Sequence, residues 1–324
     1  MAHPVPVLVL RALGLGDALT GVPALRGLRH RFGDAPIVLA AAGPPASLLA
    51  DLGVVDAVVP TPGLTGDPPA AGLAVRFGTR RHVAVNLHGR GPQSHRLLRG
   101  GLPDELIGFA NADAGGHGPQ WRPGEHEVVR WCRLVDGAGG RCDPAGLRLP
   151  VPPGCSVRLS DHVLIHPGAA SGSRRWPPRR WAAVAAALAR LGRTVLVTGG
   201  PGERALAGQV TVAAGLPDRA CVAGTLPLPD LCALVASAAL VCSGDTGVAH
   251  LATAYAAPSV RLFGPVPPSR WGPVIDTDRH VVLWHGDGTG DPHADSPDPR
   301  LLRITVPEVM DAARTLLDRG HADR

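Results

Sequence analysis

The sequence has no lysine. All 32 basic residues are arginines, set against 27 acidic ones, for a formal charge of +5. Flat rings are scarce as well, with 4 Phe and 1 Tyr beside 6 Trp. Scattered arginines without aromatic platforms argue against nucleic acid as a partner. The positive excess does suit an anionic ligand. No apolar run approaches the roughly 20 residues of a membrane span. The start, "MAHPVPVLVLRALG", lacks the basic segment that opens a secretory leader and runs straight into a strand-like stretch. A soluble, cytoplasmic chain with no transmembrane segment is therefore expected, and scattered arginines leave only peripheral membrane contact open. Six cysteines at 132, 142, 155, 221, 232 and 242 form no C-x-x-C, which speaks against zinc and thioredoxin-like sites. Most are expected to be buried thiols. At 324 residues the chain can bury large cores without such staples.

What is present is an alternation. Short apolar runs bounded by Gly, Pro or Asp at 5–10, 37–41, 57–59, 83–87 and 106–109 read as strands of a buried parallel sheet. Helical patterns lie between them near 18–31, 47–52 and 125–135, with Pro23 expected to kink or shorten the first. A proline-rich linker follows at 147–162. A second series then sets strands at 163–166, 194–198, 220–222, 240–242, 259–263 and 280–284. Its helices fall near 179–191, 202–214 and 229–236, with others beginning near Thr246 and spanning 307–319. Two loops stand out, 63–73 and the Asp-, Gly- and Pro-rich 285–300. The fold class is α/β, with two domains, 1–150 and 160–305.

Ligands of open parallel sheets bind beyond the carboxyl ends of the strands. Four such ends carry polar chemistry. After the first strand, Gly14 and Gly16 permit a tight turn and place Asp17 at a helix start, where position alone reads first as a helix cap. With Leu19 in place of a third glycine, a dinucleotide fingerprint is weak. "HPGAASGSRRW" offers turn amides, Ala170 and Ser171 among them, and two arginines, Arg174 and Arg175, that could hold phosphate oxygens. "VTGGPGERAL" puts Glu203 in the first turn of a helix, where it could grip ribose hydroxyls or simply complement the helix dipole. "CSGDTGVAH" joins a strand to a helix through Asp245, Thr246 and Gly247, with His250 off the apolar face. Such a helix start is a ready anion site. An acid there would repel a phosphate, so Asp245 is expected to point away, capping the helix or bonding neighbouring amides.

Together these segments resemble glycosyltransferase family 9, the family of bacterial ADP-heptose:lipopolysaccharide heptosyltransferases. "LVLRALGLGDALTGVPALRGLR" is similar to its opening signature. "HPGAASGSRRWPPRRWAAVAAAL", "VTGGPGERALA" and "CSGDTGVAHLATAYAAPSVRLFGP" are similar to its three C-terminal signatures, in the same order. The resemblance implies a GT-B fold, two Rossmann-like domains with mostly parallel sheets facing across a cleft, and a C-terminal helix, 306–320, returning to the first. It implies inverting, metal-independent transfer with Asp17 as general base. It gives donor binding to Gly16, Ala170, Ser171, Arg174 or Arg175, Glu203, Asp245, Thr246, Gly247 and His250. No metal and no cofactor are expected beyond the nucleotide-sugar substrate, ADP-heptose by resemblance. The segment 85–100 resembles the acceptor side, which makes His88, Gln93 and Ser94 acceptor candidates; Asn86 and His95 belong to the same polar stretch, which reads equally as an ordinary loop. A monomer binding a nucleotide sugar and a hydroxyl acceptor is the expected form.

Rival readings are a nucleotide-sugar epimerase of GT-B-like fold and a homologue that binds a nucleotide sugar without turnover. A dehydrogenase is disfavoured by the incomplete glycine pattern and by "VLAAAGPP", which puts no acid at the end of the second strand. Asp276-Thr-Asp278 is a formal D-x-D metal signature, but it follows a loop.

Overall fold

The computed structural model describes residues 4–61, 81–156 and 159–322. The loop expected at 63–73 lies outside them. The chain divides into two compact units, Met1–Leu147 and Arg148–Arg324, so the break falls at the start of the proline-rich linker.

Unit 1 carries strands β1 (Val7–Leu10), β2 (Ile37–Ala41), β3 (Ala57–Pro60), β4 (Val83–Asn86) and β5 (Glu105–Ile107). All pair in parallel, in the order β3-β2-β1-β4-β5. β1, β2 and β4 are buried along their whole length, which is why their sequences are continuous apolar runs and do not alternate. The helices are α1 (Leu15–Thr20), α2 (Val22–Phe32), α3 (Gly43–Asp51), α4 (Gln93–Arg99) and α5 (Glu127–Gly137). The helix expected over 18–31 is two helices broken at Gly21, with Pro23 in the first turn of the second, where its missing N–H costs nothing. A side chain at Gly21 would meet the stem of Arg11 at 2.8 Å, so this glycine also makes room for a buried arginine. Helix α4 was not expected; it lies in the stretch read as a polar loop.

Unit 2 carries β6 (His162–His166), β7 (Val195–Val197), β8 (Ala238–Gly244), β9 (Ser259–Leu262) and β10 (His280–Leu283), parallel in the order β10-β9-β8-β6-β7. The strand expected at 220–222 is reduced to one parallel bridge, Val197 to Cys221. Counting it restores the same strand order as unit 1 with one strand added, the dinucleotide-fold arrangement. The helices are α6 (Pro178–Arg190), α7 (Arg204–Ala213), α8 (Leu228–Ala236), α9 (Gly247–Ala254), α10 (Pro268–Trp271), α11 (Pro299–Arg303) and α12 (Val306–Ala322).

Helix α12 corrects an expectation. It was to return to the first domain. Instead its apolar face, Val309, Met310, Ala313 and Leu316, is part of the unit 2 core with Trp176, Trp181 and Leu262. The indole N–H of Trp176 donates to the carbonyl of Ile304 at 3.1 Å, which fixes the start of that helix. The two tryptophans meet edge to face at 4.9 Å. One pair of cysteines was not foreseen as bonded. Cys132 and Cys142 are joined in a disulfide; the turn after α5 brings their Cα atoms to 5.2 Å, within reach of a bridge. Cys155, Cys232 and Cys242 are buried thiols and Cys221 is half-buried. Among the described residues no helix is long and apolar enough to cross a membrane.

Candidate functional site

In each unit the strand order reverses between two central strands, β1 and β4 in unit 1, β6 and β8 in unit 2. The carboxyl ends flanking such a reversal are the expected ligand positions. The polar residues picked out in the sequence collect there.

In unit 1, Gly16 and Asp17 lie in the first turn of α1, after an extended Gly14. Asp17 is half-buried. Burial raises its pKa above the usual carboxylate range. The Arg11 charge opposes that shift, the Glu127 charge adds to it, and the Gly14 and Asp17 amides pull it back. Arg11 itself, 2% exposed, holds the turn together. Its Nε donates to the Asp17 carbonyl and its Nη1 to the Leu87 carbonyl, while Nη2 reaches Thr20 Oγ1 at 3.0 Å and Glu127 Oε1 at 3.3 Å. Thr20 Oγ1 donates to the same Asp17 carbonyl at 3.0 Å. Glu127, in the first turn of α5, accepts also from Trp131 Nε1 at 2.7 Å and from Arg130. The Arg11 guanidinium lies 5.0 Å from the Trp131 ring centre. Sequence reading missed this network. Its signal was an arginine ending an apolar strand, and a Glu with Trp four residues later, one turn along a helix.

The acceptor candidates separate. His88 is half-buried just beyond β4. Burial, and then the Arg11 charge, push its pKa down to about 4, so it is neutral. Its Nδ1 is buried without a hydrogen-bond partner. Gln93 is exposed at the start of α4. Ser94 is buried and accepts from Asn86 Nδ2 at 2.8 Å. The same Asn86 amide lies 3.0 Å from His95 Nδ1, and His95 Nε2 lies 2.9 Å from the Phe109 carbonyl, so that ring carries its proton on Nε2. A side chain at Gly91 or Gly108 would collide with the His95 ring. Ser94, Asn86 and His95 are thus a packed internal network, while His88 keeps an uncommitted ring nitrogen.

In unit 2 the loop 167–177 after β6 is the common partner. Arg174 Nε donates to Ser171 Oγ at 3.3 Å and its Nη1 to the Asp245 carbonyl at 3.4 Å, which ties this loop to the loop after β8. Arg175 is exposed, its Nε spent on the Ala169 carbonyl at 2.9 Å. Ala170 is exposed at the turn. Glu203 ends a 3-10 turn, Pro201–Glu203, and α7 begins after it at Arg204, two residues later than expected. Its Oε2 accepts from the Gly200 amide at 2.8 Å and stands 3.9 Å from His166 Nε2. Its carboxylate lies flat on Gly168, where any side chain would collide with it. Burial lowers the pKa of His166, with Glu203 opposing.

The cap position of α9 belongs to Thr246, whose side chain makes no cap hydrogen bond and whose Oγ1 is buried without a partner. Asp245, expected to cap the helix or bond neighbouring amides, stands one residue ahead of the cap position, 8% exposed. Gly247 opens the helix. His250 was expected off the core face. It is buried with the rest of α9, its ring 5.8 Å from Trp271 and edge-on to it. Loop 285–300 is a strap across this site. The Ser173 amide donates to the Ala294 carbonyl at 2.8 Å, the Asp298 amide to the Ser173 carbonyl at 3.1 Å, and Ser171 Oγ to the Pro292 carbonyl. Asp276 of the D-x-D pattern is ion-paired with Arg148. Among the described residues no three His, Cys, Asp or Glu side chains converge as a metal site would need.

With this geometry in place, comparison with known proteins adds the following. Residues 155–293 match the family model of glycosyltransferase family 9 (heptosyltransferase). Lipopolysaccharide heptosyltransferase 3 of Escherichia coli is 30% identical over 153 residues, 47% of this chain and 44% of that protein, so the match spans less than half of its length. The glycosyl transferase family 9 structure from Veillonella parvula superposes with a TM-score of 0.80 at 19% identity, over 98% of this chain and 99% of that one. The ADP-heptose lps heptosyltransferase II of Escherichia coli gives 0.76 at 19% identity, over 98% and 100%. The fold is therefore the GT-B arrangement of those structures.

Proposed function

We propose that the chain, whose residues 155–293 match the family model of glycosyltransferase family 9 (heptosyltransferase), is an inverting glycosyltransferase that moves a heptose from ADP-heptose to a hydroxyl of a glycan or small-molecule acceptor, without a metal. The observation that carries this reading is the Arg174 bridge. One guanidinium joins the loops after β6 and β8 at the strand-order reversal, beside the N-terminus of α9 and the exposed turn at Ala170. Amides at a helix N-terminus and a guanidinium are the donors a diphosphate needs, and they stabilise the charge it gains as it leaves. Thr246 Oγ1, buried and unpartnered, is a further donor of the right kind. Glu203 is the ribose acid and His250 and Gly247 complete the donor wall. Asp17 takes the proton of the attacking hydroxyl, and its raised pKa brings it nearer the range in which a base works at neutral pH. His88, neutral at that pH, can accept or donate a hydrogen bond to the acceptor.

The test is incubation of the full chain with ADP-heptose and a panel of hydroxyl acceptors, read by mass spectrometry for ADP and glycoside and by NMR for anomeric configuration. Inverted glycoside formed only when acceptor is present supports the proposal. A new sugar isomer without acceptor would identify an epimerase instead. Calorimetric titration with ADP, GDP and UDP identifies the nucleotide, and silence with all three would end the donor-site assignment.

A further inference from the structure

One buried group at the donor side has no task in the proposed reaction. His166 ends β6, and the register that sets Ile165 beside Val197 brings its ring next to Thr198 at the end of β7. The imidazole is buried, 7% exposed, and burial holds it neutral at pH 7. Its nitrogens face different partners. Nδ1 lies 3.0 Å from the buried Thr198 Oγ1. Among the described residues that hydroxyl has no other acceptor, so Thr198 donates to Nδ1 and the ring carries its proton on Nε2. Nε2 stands 3.9 Å from Glu203 Oε2, too far for a hydrogen bond but close enough for an N–H dipole to act in a poorly solvated site. The carboxylate is confined on its other sides. The Gly200 amide donates to Oε2 at 2.8 Å, and Gly168 lies flat against both oxygens. A side chain at Gly199 would come within 3.1 Å of Glu203 Cβ. Among the described residues Oε1 makes no hydrogen bond.

We infer that His166 is a positioning residue for the ribose subsite: with its tautomer set by Thr198, it presents an N–H to the Glu203 carboxylate and keeps Oε2 on the Gly200 amide, which leaves Oε1 to accept from the sugar hydroxyls. A glutamate has several rotatable bonds, and ordering it only when ligand arrives costs entropy. Here the carboxylate is held beforehand by groups from the ends of β6 and β7. His166 acts through Glu203 and touches no substrate. The inference rests on the donor site proposed above.

The test is the preference of the full chain for a ribonucleotide over its 2′,3′-dideoxy form, measured by calorimetry with whichever of ADP, GDP and UDP the wild type binds most tightly. The two ligands share base and diphosphate, so a general loosening of the site weakens both alike, while a displaced Glu203 weakens only the first. His166→Leu should lower the preference about fivefold or more and leave affinity for the dideoxy form nearly unchanged. His166→Gln, which keeps an N–H donor, should recover part of it. Thr198→Val, which frees the ring proton to move to Nδ1, should lower the preference about threefold. An unchanged preference in His166→Leu, or an equal loss for both ligands, overturns the inference. Glu203→Ala is the control for the reading beneath it. If that variant keeps the wild-type preference, or if the wild type binds no nucleotide, the ribose role of Glu203 falls. The pairing is then decided by NMR of protein labelled with nitrogen-15 histidine, the His166 signals being assigned by their loss in His166→Gln. A ring protonated on Nε2 whose nitrogen shifts move in Glu203→Gln upholds the pairing. A ring protonated on Nδ1, or one indifferent to Glu203→Gln, overturns it.

Discussion

The two units each bury an arginine and use it differently. Arg11 follows β1, at the strand-order reversal of unit 1, whereas Arg261 lies in β9, outside that of unit 2. In unit 1 Arg11 spends its guanidinium on the Glu127 carboxylate, on Thr20 and on the carbonyls of Asp17 and Leu87. Its charge is consumed locally, and what it fixes is backbone, namely the turn that aims Asp17. In unit 2 Arg261 binds hydroxyls and a neutral imidazole and leaves one nitrogen unpartnered. There the side chain ties α9 and two strands of the sheet together. A site for a base needs a well-placed, reluctant carboxylate; a site for a diphosphate needs surplus positive field.

The largest effect expected from breaking this comparison is at Asp17. Asp17→Asn should cut transfer roughly 10²- to 10⁴-fold, the usual worth of a positioned base. The same substitution should not lower the Tm at pH 7. The folded-state pKa of Asp17 is raised, so its contribution to stability is present below the unfolded pKa and is lost as pH rises through the folded one. At neutral pH the neutral amide removes that cost, and the Tm should hold or rise. For the same reason wild-type kcat should fall as pH drops through the raised pKa of Asp17. Full activity in Asp17→Asn would sink the assignment.

Next in size is Glu127. Glu127→Ala strands the charges of Arg11 and Arg130 in the core and should cost about 3–5 kcal/mol in denaturant titrations. Nucleotide affinity, which the proposed donor site assigns to unit 2, should be unchanged in the folded protein. A stability loss below about 1 kcal/mol, the range of a surface pair, would mean that the network is dispensable and the contrast with unit 2 false.

How far the sequence foretold all this depends on range. The strands were legible because burial on both faces demands unbroken apolar runs; 37–41 was read to the residue. The break near Pro23 was legible because proline has a fixed backbone preference. Strand 220–222 was over-read. Its apolar pattern is real, but after the 3-10 turn Asp218–Ala220 the chain meets β7 at one bridge only. Helix α4 was hidden by its polar exposed face, Gln93, Arg96 and Arg99, and by the expectation that polar means loop. Loop-borne candidates were found because glycines, hydroxyls and acids at strand ends are local signals. What could not be read were the long-range pairs: Arg11 with Glu127 is 116 residues apart, and nothing local marks Arg261, a charged residue in a strand of apolar ones. The disulfide Cys132–Cys142 and the docking of α12 on unit 2 are likewise tertiary outcomes.

A smaller effect should separate the two adjacent arginines. Arg174→Ala, which removes the bridge between the two donor loops, should weaken nucleotide binding about tenfold, the scale of one charge-assisted bond. Arg175 faces solvent and serves the Ala169 carbonyl, so Arg175→Ala should stay within about twofold. The reverse ranking, measured by calorimetry, would move the diphosphate to the outer side of the loop.

The smallest effect belongs to Ser171, although it was first read as a phosphate ligand. Its hydroxyl donates to the Pro292 carbonyl and accepts from Arg174, so its proton is already committed to the strap. Ser171→Ala should therefore change nucleotide affinity by less than about threefold, under 1 kcal/mol, as expected for one neutral hydrogen bond. Its neighbour supplies the control. A side chain at Gly172 would strike the carbonyl of Asp295, so Gly172→Ala should displace the strap, open residues 287–298 to limited proteolysis and weaken nucleotide binding more than Ser171→Ala does. If Ser171→Ala proves the more damaging of the two, the hydroxyl turns to the ligand when it binds. The turn after β6 would then be remade by the donor, and the view that unit 2 offers field rather than shape would have to give way at that residue.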